Sequence, residues 1–253
     1  MHSTTAAAAF ALGLFATVLP SLRAVEFEGR FWIPQMSSRL RVEQNGVGTE
    51  IDGGRDLGIP DTNFPEGSLA FLTGHSRLRF SYTPIDYSGD QTVTRTLLFN
   101  GRQYTLGTRV LSGLEVRHLQ LSWTYEFIDV RHGTFRLGSM VAADGFLMHG
   151  RLQAPNVSPP IDGKEDLSVG LPTVGLAMDI NPHRMVNIHG EVSGLKAGDY
   201  GYFIASEAGV RILPVKHLFF TAGYRTFNLH AENSPDFARL QLRGPFVGAG
   251  IRF

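Results

Sequence analysis

The chain has 253 residues, with 23 Lys and Arg balanced by 23 Asp and Glu, and no cysteine. The charge balance excludes the basic surplus of a nucleic-acid binder, and the missing cysteine excludes disulfides, thiolate metal sites and Cys nucleophiles. Only 18 % of residues are charged, below the roughly 25 % of soluble domains, while Phe (18) and Gly (29) are abundant, a composition that points to an all-β chain.

In chain order, the first element is an apolar run of 14 residues, Ala6 to Leu19. It is too short to span a bilayer as a helix and suits the core of an export signal. Residues 1–24 are expected to be a signal peptide cleaved near Ala24, leaving 25–253 as the mature domain. From there the chain alternates with period two. In His118–Phe127, residues Leu119, Leu121, Trp123, Tyr125 and Phe127 share one face and His118, Gln120, Ser122, Thr124 and Glu126 the other, the signature of a strand with two different environments. The pattern predicts ten strands near 25–33, 66–73, 77–87, 114–128, 134–150, 169–180, 185–195, 201–213, 217–230 and 238–253, with eight as the alternative count.

The connections take turns. Short ones at Gly74–Ser76, Asp129–Gly133, Asn181–Arg184 and Pro214–His217 alternate with longer polar stretches, the longest at 34–65 and 88–113. Short turns at one end and long loops at the other, with an even strand count, predict a closed antiparallel transmembrane β-barrel. Closure is what leaves no unpaired backbone groups in lipid. Within 88–113, Phe99-Asn100-Gly101-Arg102 predicts a hairpin, expected as a ribbon from Thr92 to Arg109 standing above the membrane. Aromatics near strand ends, among them Trp123, Tyr125, Phe127, Phe219 and Phe220, are expected to form the interfacial girdles.

The final segment, Phe246-Val247-Gly248-Ala249-Gly250-Ile251-Arg252-Phe253, ends in an aromatic residue with Val247, Ala249 and Ile251 on its face. Here the chain resembles the bacterial outer-membrane barrels, and its overall layout is similar to the small OmpA/OmpW-like barrel group. The resemblance implies that Gly248, Ile251 and Phe253 form the signal read by the barrel-assembly machinery, and that the protein lies in the bacterial outer membrane among its lipid and lipopolysaccharide. Phe246 departs from the family, which usually has a polar residue there. Upstream, Leu240 and Leu242 fall out of phase with Val247 and Ile251 across Gly244-Pro245, so a β-bulge or an edge above the membrane is expected at that point.

With apolar faces toward lipid, the polar faces define the lumen. Its expected charge network comprises Glu26, Glu28, Glu66, Glu126, Asp144, Asp179, Glu191 and Glu207 with Arg30, Arg77, Arg79, Arg136, Arg211, Arg225, Arg239, Arg243 and Arg252. So near-neutral a set in so narrow a barrel reads either as a polar core of paired charges or as the lining of a narrow diffusion channel for small solutes. A hydrolase at the outer rim is the alternative, since the omptin proteases resemble this architecture and lipid A or phospholipid hydrolases also use barrels. The residues available for it are Asp86 with Asp90, His230 with Glu232, Ser234 and Asp236, His75 with Ser76, and the inward-facing His118 and His189. None has an implied catalytic geometry, so no enzymatic activity, cofactor or metal is expected.

Overall fold

The computed structural model describes residues 22–41, 49–99, 102–130, 133–158, 160–196, 198, 201–233 and 236–253. The segment expected to be the core of an export signal lies outside them, as do the Asn100-Gly101 turn and Ser234.

The strands are β1 (Ala24–Trp32), β2 (Gln35–Arg41), β3 (Ile51–Asp52), β4 (Phe64–Leu72), β5 (Ser76–Thr92), β6 (Leu97–Phe99), β7 (Arg102–Tyr104), β8 (Arg109–Val130), β9 (Phe135–Ala154), β10 (Ile161–His183), β11 (Val186–Lys196), β12 (Gly201–Val215), β13 (Leu218–Asn233) and β14 (Asp236–Arg252). A five-residue helix, α1 (Gly53–Leu57), follows β3. All pairings are antiparallel, and β1 closes the sheet by pairing with β14. β1 and β2 are two parts of one barrel strand: Trp32 faces Phe246 and Gln35 faces Arg243, so the register against β14 runs through unbroken. The barrel therefore has ten strands.

The expected bulge at Gly244-Pro245 is absent. β14 pairs with β13 from Leu218↔Ile251 to Asn233↔Asp236 without a shift. What interrupts the ladder is a pair of prolines, Pro34 and Pro245, which lack the amide proton a ladder needs; Ile33 N still donates to Pro245 O at 2.9 Å. Leu240 and Leu242 point inward because the lumen changes character there, not because the strand slips.

Tight connections link β4–β5, β8–β9, β10–β11 and β12–β13, and both described chain ends lie at this turn end. The loop end is built differently from the expectation. Much of 88–113 is strand, since β5 runs to Thr92 and β8 starts at Arg109 with β6 and β7 between them, and 34–65 opens on a strand, β2, over 35–41. β8 and β10 have 22 and 23 residues, about twice the 9–11 that span a bilayer, so β5, β8, β9 and β10 rise as a wall beyond it. The β6–β7 hairpin does not stand free as a ribbon. Leu97 and Tyr104 are fully buried with Ile51, Val93, Val110, Leu152 and Ala154 in a small apolar core on the inner side of the wall.

The outward face is a belt of exposed apolar residues, including Phe27, Phe31, Phe80, Leu121, Val174, Leu176, Val210, Phe220 and Ile251. Such a continuous surface suits hydrocarbon and would aggregate in water. Phe219 is a correction to the expected girdle: it is fully buried and points inward, where Phe220 faces out.

Candidate functional site

The lumen is stratified, and each layer follows from strand parity. In the turn-end half, β1 sends Glu26, Glu28 and Arg30 inward, β4 sends Glu66, β5 sends Arg77 and Arg79, and β10 to β13 send Asp179, His189, Glu191, Glu207, Arg211 and Arg225. Arg30 is the hub. Its Nη1 lies 2.7 Å from Glu207 Oε1 and 3.6 Å from Glu66, and its Nε lies 3.0 Å from Glu28. Arg211 binds Glu26 at 3.0 Å and Glu28 at 3.2 Å. Arg225 is paired with Glu66 and Arg252 with Glu26. Arg79 reaches Glu191 at 3.1 Å and Arg77 reaches Asp179 at 3.5 Å. Nearer the turns, Arg136 meets Glu126 at 3.3 Å. Burying a charge in this medium is tolerable only with a bonded partner.

Three guanidinium groups also lie over rings: Arg30 on Phe246 at 4.8 Å, Arg211 on Phe219 at 4.2 Å and Arg225 on Trp32 at 5.2 Å. This explains the inward Phe219 and the departure at Phe246. Both rings cover charges and need glycine opposite: a Cβ at Gly250 would lie 2.2 Å from Phe219 Cζ, and one at Gly223 would lie 2.7 Å from Phe246 Cζ. Gly248 has a packing reason as well, since a Cβ there would lie 2.9 Å from Arg30 Cγ. Ile251 and Phe253 face outward.

The middle layer centres on Asp144, whose carboxylate accepts from Gln120 Nε2 and Thr173 Oγ1 and bonds His118 Nε2, each at 2.9 Å. His118 stacks on Phe146 at 4.5 Å and is thus a packed, bonded core histidine. His189 lies 3.5 Å from Glu207.

Beyond this layer the loop-end half is apolar. Trp32, Phe64, Ile85, Tyr87, Val116, Phe146, Phe203, Phe227, Leu242 and Phe246 form one buried cluster. Its rings meet edge to face, with Phe203–Phe227 at 4.9 Å, Phe64–Tyr87 at 5.2 Å and Phe146–Phe227 at 5.7 Å. The cavity among Gln120, Glu191, Ser193, Glu207 and Arg225 measures about 10 Å³, room for about one water.

Fifteen of the seventeen members of the expected network come together in the lumen. Arg239 does not. It is exposed on the outer wall, its Nε donating to His230 Nδ1 at 3.1 Å. Arg243 is also outward and exposed. Both were assigned inward on the assumption that the inward face stays polar to the strand's end; Leu240 and Leu242 take those places.

Of the rim residues, Asp86 pairs with Arg117 and Asp90 with Arg109 at 2.5 Å, so they are two ion pairs rather than an acid pair. His230 Nε2 bonds Glu232 at 3.1 Å. An uneven detail missed by sequence reasoning is His149 Nδ1, 2.8 Å from Asp166 on the exposed face of β9 and β10. Their juxtaposition depends on register, which no local pattern reveals.

α1 and its neighbours cap the mouth. The Asp52 side chain accepts from Arg55 N at 2.9 Å, and Gly58 ends the helix in the left-handed region at φ 64°. Asp56 accepts from Asp52 N at 2.9 Å and from Arg95 Nη2 at 2.6 Å. Burial pushes this carboxyl up, but the bonds from Arg95, Arg55 and Asp52 N outweigh it and hold it below the usual range.

No family model matches the chain, and no curated protein is similar to it in sequence. Its fold is that of the outer-membrane β-barrels. The outer membrane protease OmpT of Escherichia coli superposes with a TM-score of 0.50 at 8 % identity, covering 91 % of this chain and 96 % of that one. The translocator domain of the autotransporter NalP from Neisseria meningitidis gives 0.48 at 12 % identity, covering 99 % and 98 %. The N-terminal β-barrel domain of Pseudomonas aeruginosa OprF gives 0.32 at 12 %, covering 92 % and 99 %.

Proposed function

We propose that the protein is an integral barrel of the bacterial outer membrane with a sealed lumen, serving as a structural element that presents the β5–β10 wall outside the cell. The observation that carries this reading is that the described residues fill the lumen at each of its layers. Ion pairs occupy the turn-end half, packed rings the loop-end half and the β6–β7 core the mouth. A diffusion channel for small solutes requires a continuous water-filled path, which would have to be opened through all three. The apolar belt, the paired network inside it and the alternation of short turns with larger connections support the membrane setting. Liposome swelling tests the reading. Vesicles containing the refolded barrel should shrink and stay shrunken in small sugars, and swelling at a porin-like rate would contradict a sealed lumen.

A rim hydrolase is the second reading, favoured by the His149–Asp166 pair, the arrangement in which a carboxylate orients an imidazole. It predicts peptide or ester hydrolysis that His149→Ala abolishes, and a refolded barrel without such activity overturns it.

A further inference from the structure

The outer wall above the hydrocarbon differs between its two sides. On the β5–β10 side the described outward arginines meet carboxylates: Arg117 is with Asp86, Arg109 with Asp90 and Arg151 with Asp162 at 3.0 Å. On the β2–β14–β13 side, none of Arg39, Arg239 and Arg243 is hydrogen-bonded to a carboxylate among the described residues.

Here the edge of the apolar belt is sharp. The outward residues of β14 are Ile251, Ala249, Val247 and Pro245, then Arg243, Gln241 and Arg239; those of β13 are Phe220, Ala222 and Tyr224, then Thr226, Asn228 and His230. The Tyr224–Pro245 row marks the hydrocarbon boundary, with a tyrosine where such barrels carry their aromatic girdle. Directly above it the register builds a polar patch. Arg243 neighbours Gln35 and Thr226, Gln241 neighbours Ser37 and Asn228, and Arg239 neighbours Arg39 and His230.

The Arg39–Arg239 juxtaposition is the telling feature. Like charges directly opposite on adjacent strands destabilise a sheet, and among the described residues the pair is offset only by looser contacts, including Arg239 over the Phe237 ring at 5.5 Å. Arg39 has Glu50 only at 3.9 Å, with both side chains about half exposed. Arg239 spends its Nε on His230, whose other nitrogen is taken by Glu232. Arg243 has no ion-pair or hydrogen-bond partner among the described residues. Between them lies a concavity of about 220 Å³, bordered by Arg39, Arg239 and His230 and by the amides of Gln241 and Asn228.

We propose that this patch binds a phosphate group on a sugar-bearing lipid headgroup of the surrounding leaflet, a phosphorylated glycolipid whose acyl chains lie against the Phe220–Tyr224 and Val247–Ile251 faces below. Planar guanidinium groups match phosphate oxygens bidentately, and the amides and the Ser37 hydroxyl supply donors and acceptors for sugar hydroxyls. The patch sits one row above hydrocarbon, where a lipid phosphate resides and a free solute has no reason to concentrate. The inference rests on the membrane-barrel reading.

The test uses the full refolded chain in mixed micelles, with diphosphoryl lipid A as the probe and native mass spectrometry as the readout. Lipid A should be retained at least about tenfold more strongly than its dephosphorylated form. Arg39→Gln with Arg239→Gln should lower retention by about tenfold or more, while Arg109→Gln with Arg151→Gln on the opposite wall should change it by less than about twofold. Arg239→Lys should keep charge but lose part of the bidentate grip, giving an intermediate value. Retention indifferent to phosphate, or unchanged in the β2–β14 double variant, overturns the proposal, as does its displacement by millimolar inorganic phosphate, which would make the ligand a free anion. If the double variant fails to fold, as shown by unboiled gel migration, Arg243→Gln decides on the same readout by lowering retention or leaving it unchanged. A wild-type chain that fails to enter micelles or vesicles as a heat-modifiable barrel refutes the membrane reading itself, whereas an inserted barrel without retention refutes only the site.

Discussion

The two halves of the lumen solve the same problem with opposite chemistry. Toward the turns, six carboxylates (Glu26, Glu28, Glu66, Asp179, Glu191, Glu207) face six arginines (Arg30, Arg77, Arg79, Arg211, Arg225, Arg252), and the space is closed by partner matching. Toward the loops, the Phe146–Phe203–Phe227 cluster closes the same bore by volume. The difference teaches that a barrel's interior need not be polar throughout, and that the change begins about at the hydrocarbon boundary, with Trp32 and Phe246 one row below Tyr224–Pro245. Where the wall rises into water, an apolar interior is again favourable, as in a soluble protein.

Removing one partner from the charged half should have the largest effect. Glu207→Ala leaves the Arg30 guanidinium buried with a lost partner, and should cost about 3–5 kcal/mol in urea unfolding of the refolded barrel. In the apolar half, Phe227→Ala should cost about 3 kcal/mol, at the low end for a phenylalanine because the Phe146 and Phe203 rings can move into the space. Replacing both members of a pair breaks the comparison in the other direction. Arg79→Leu with Glu191→Leu should lie within about 1 kcal/mol of the wild type, because no charge is orphaned; a loss as large as that of Glu207→Ala would mean that the pairs contribute far more than partner matching.

The smallest expected effect is at the mouth. The Asp56 carboxyl is held below the usual range in the folded state, so its contribution is present above the unfolded value of about 3.9 and is lost as pH falls below it. Protease nicking within residues 49–63 should therefore be slow at neutral pH and rise below about pH 4, with Asp56→Asn nicked readily even at neutral pH.

Most of the membrane-spanning part was legible in the sequence because lipid on one side and a packed lumen on the other enforce period-two alternation, as in Glu26–Arg30 and His118–Phe127. Strand lengths were less legible. Beyond the bilayer the outer face turns polar, and segments such as 109–113 and 161–168 lose the contrast that marks a strand. The same change of medium hid the apolar half of the lumen. Leu240 and Leu242 share parity with Phe246, Gly248 and Arg252, so an unbroken count back from the terminus places them inward and Arg239 outward. That count was the available signal, and the assumption of a polar interior overrode it. Contacts between distant strands, such as Arg30–Glu207 and His149–Asp166, depend on closure and register, which no local pattern contains.

Planar-bilayer conductance of the refolded wild-type barrel tests the sealed lumen most directly. The account predicts no steady ohmic steps at moderate voltage, in the wild type and in Phe227→Ala alike, because the ion-paired layer remains intact beneath the ring layer. Sustained single-channel current through the wild type would contradict it.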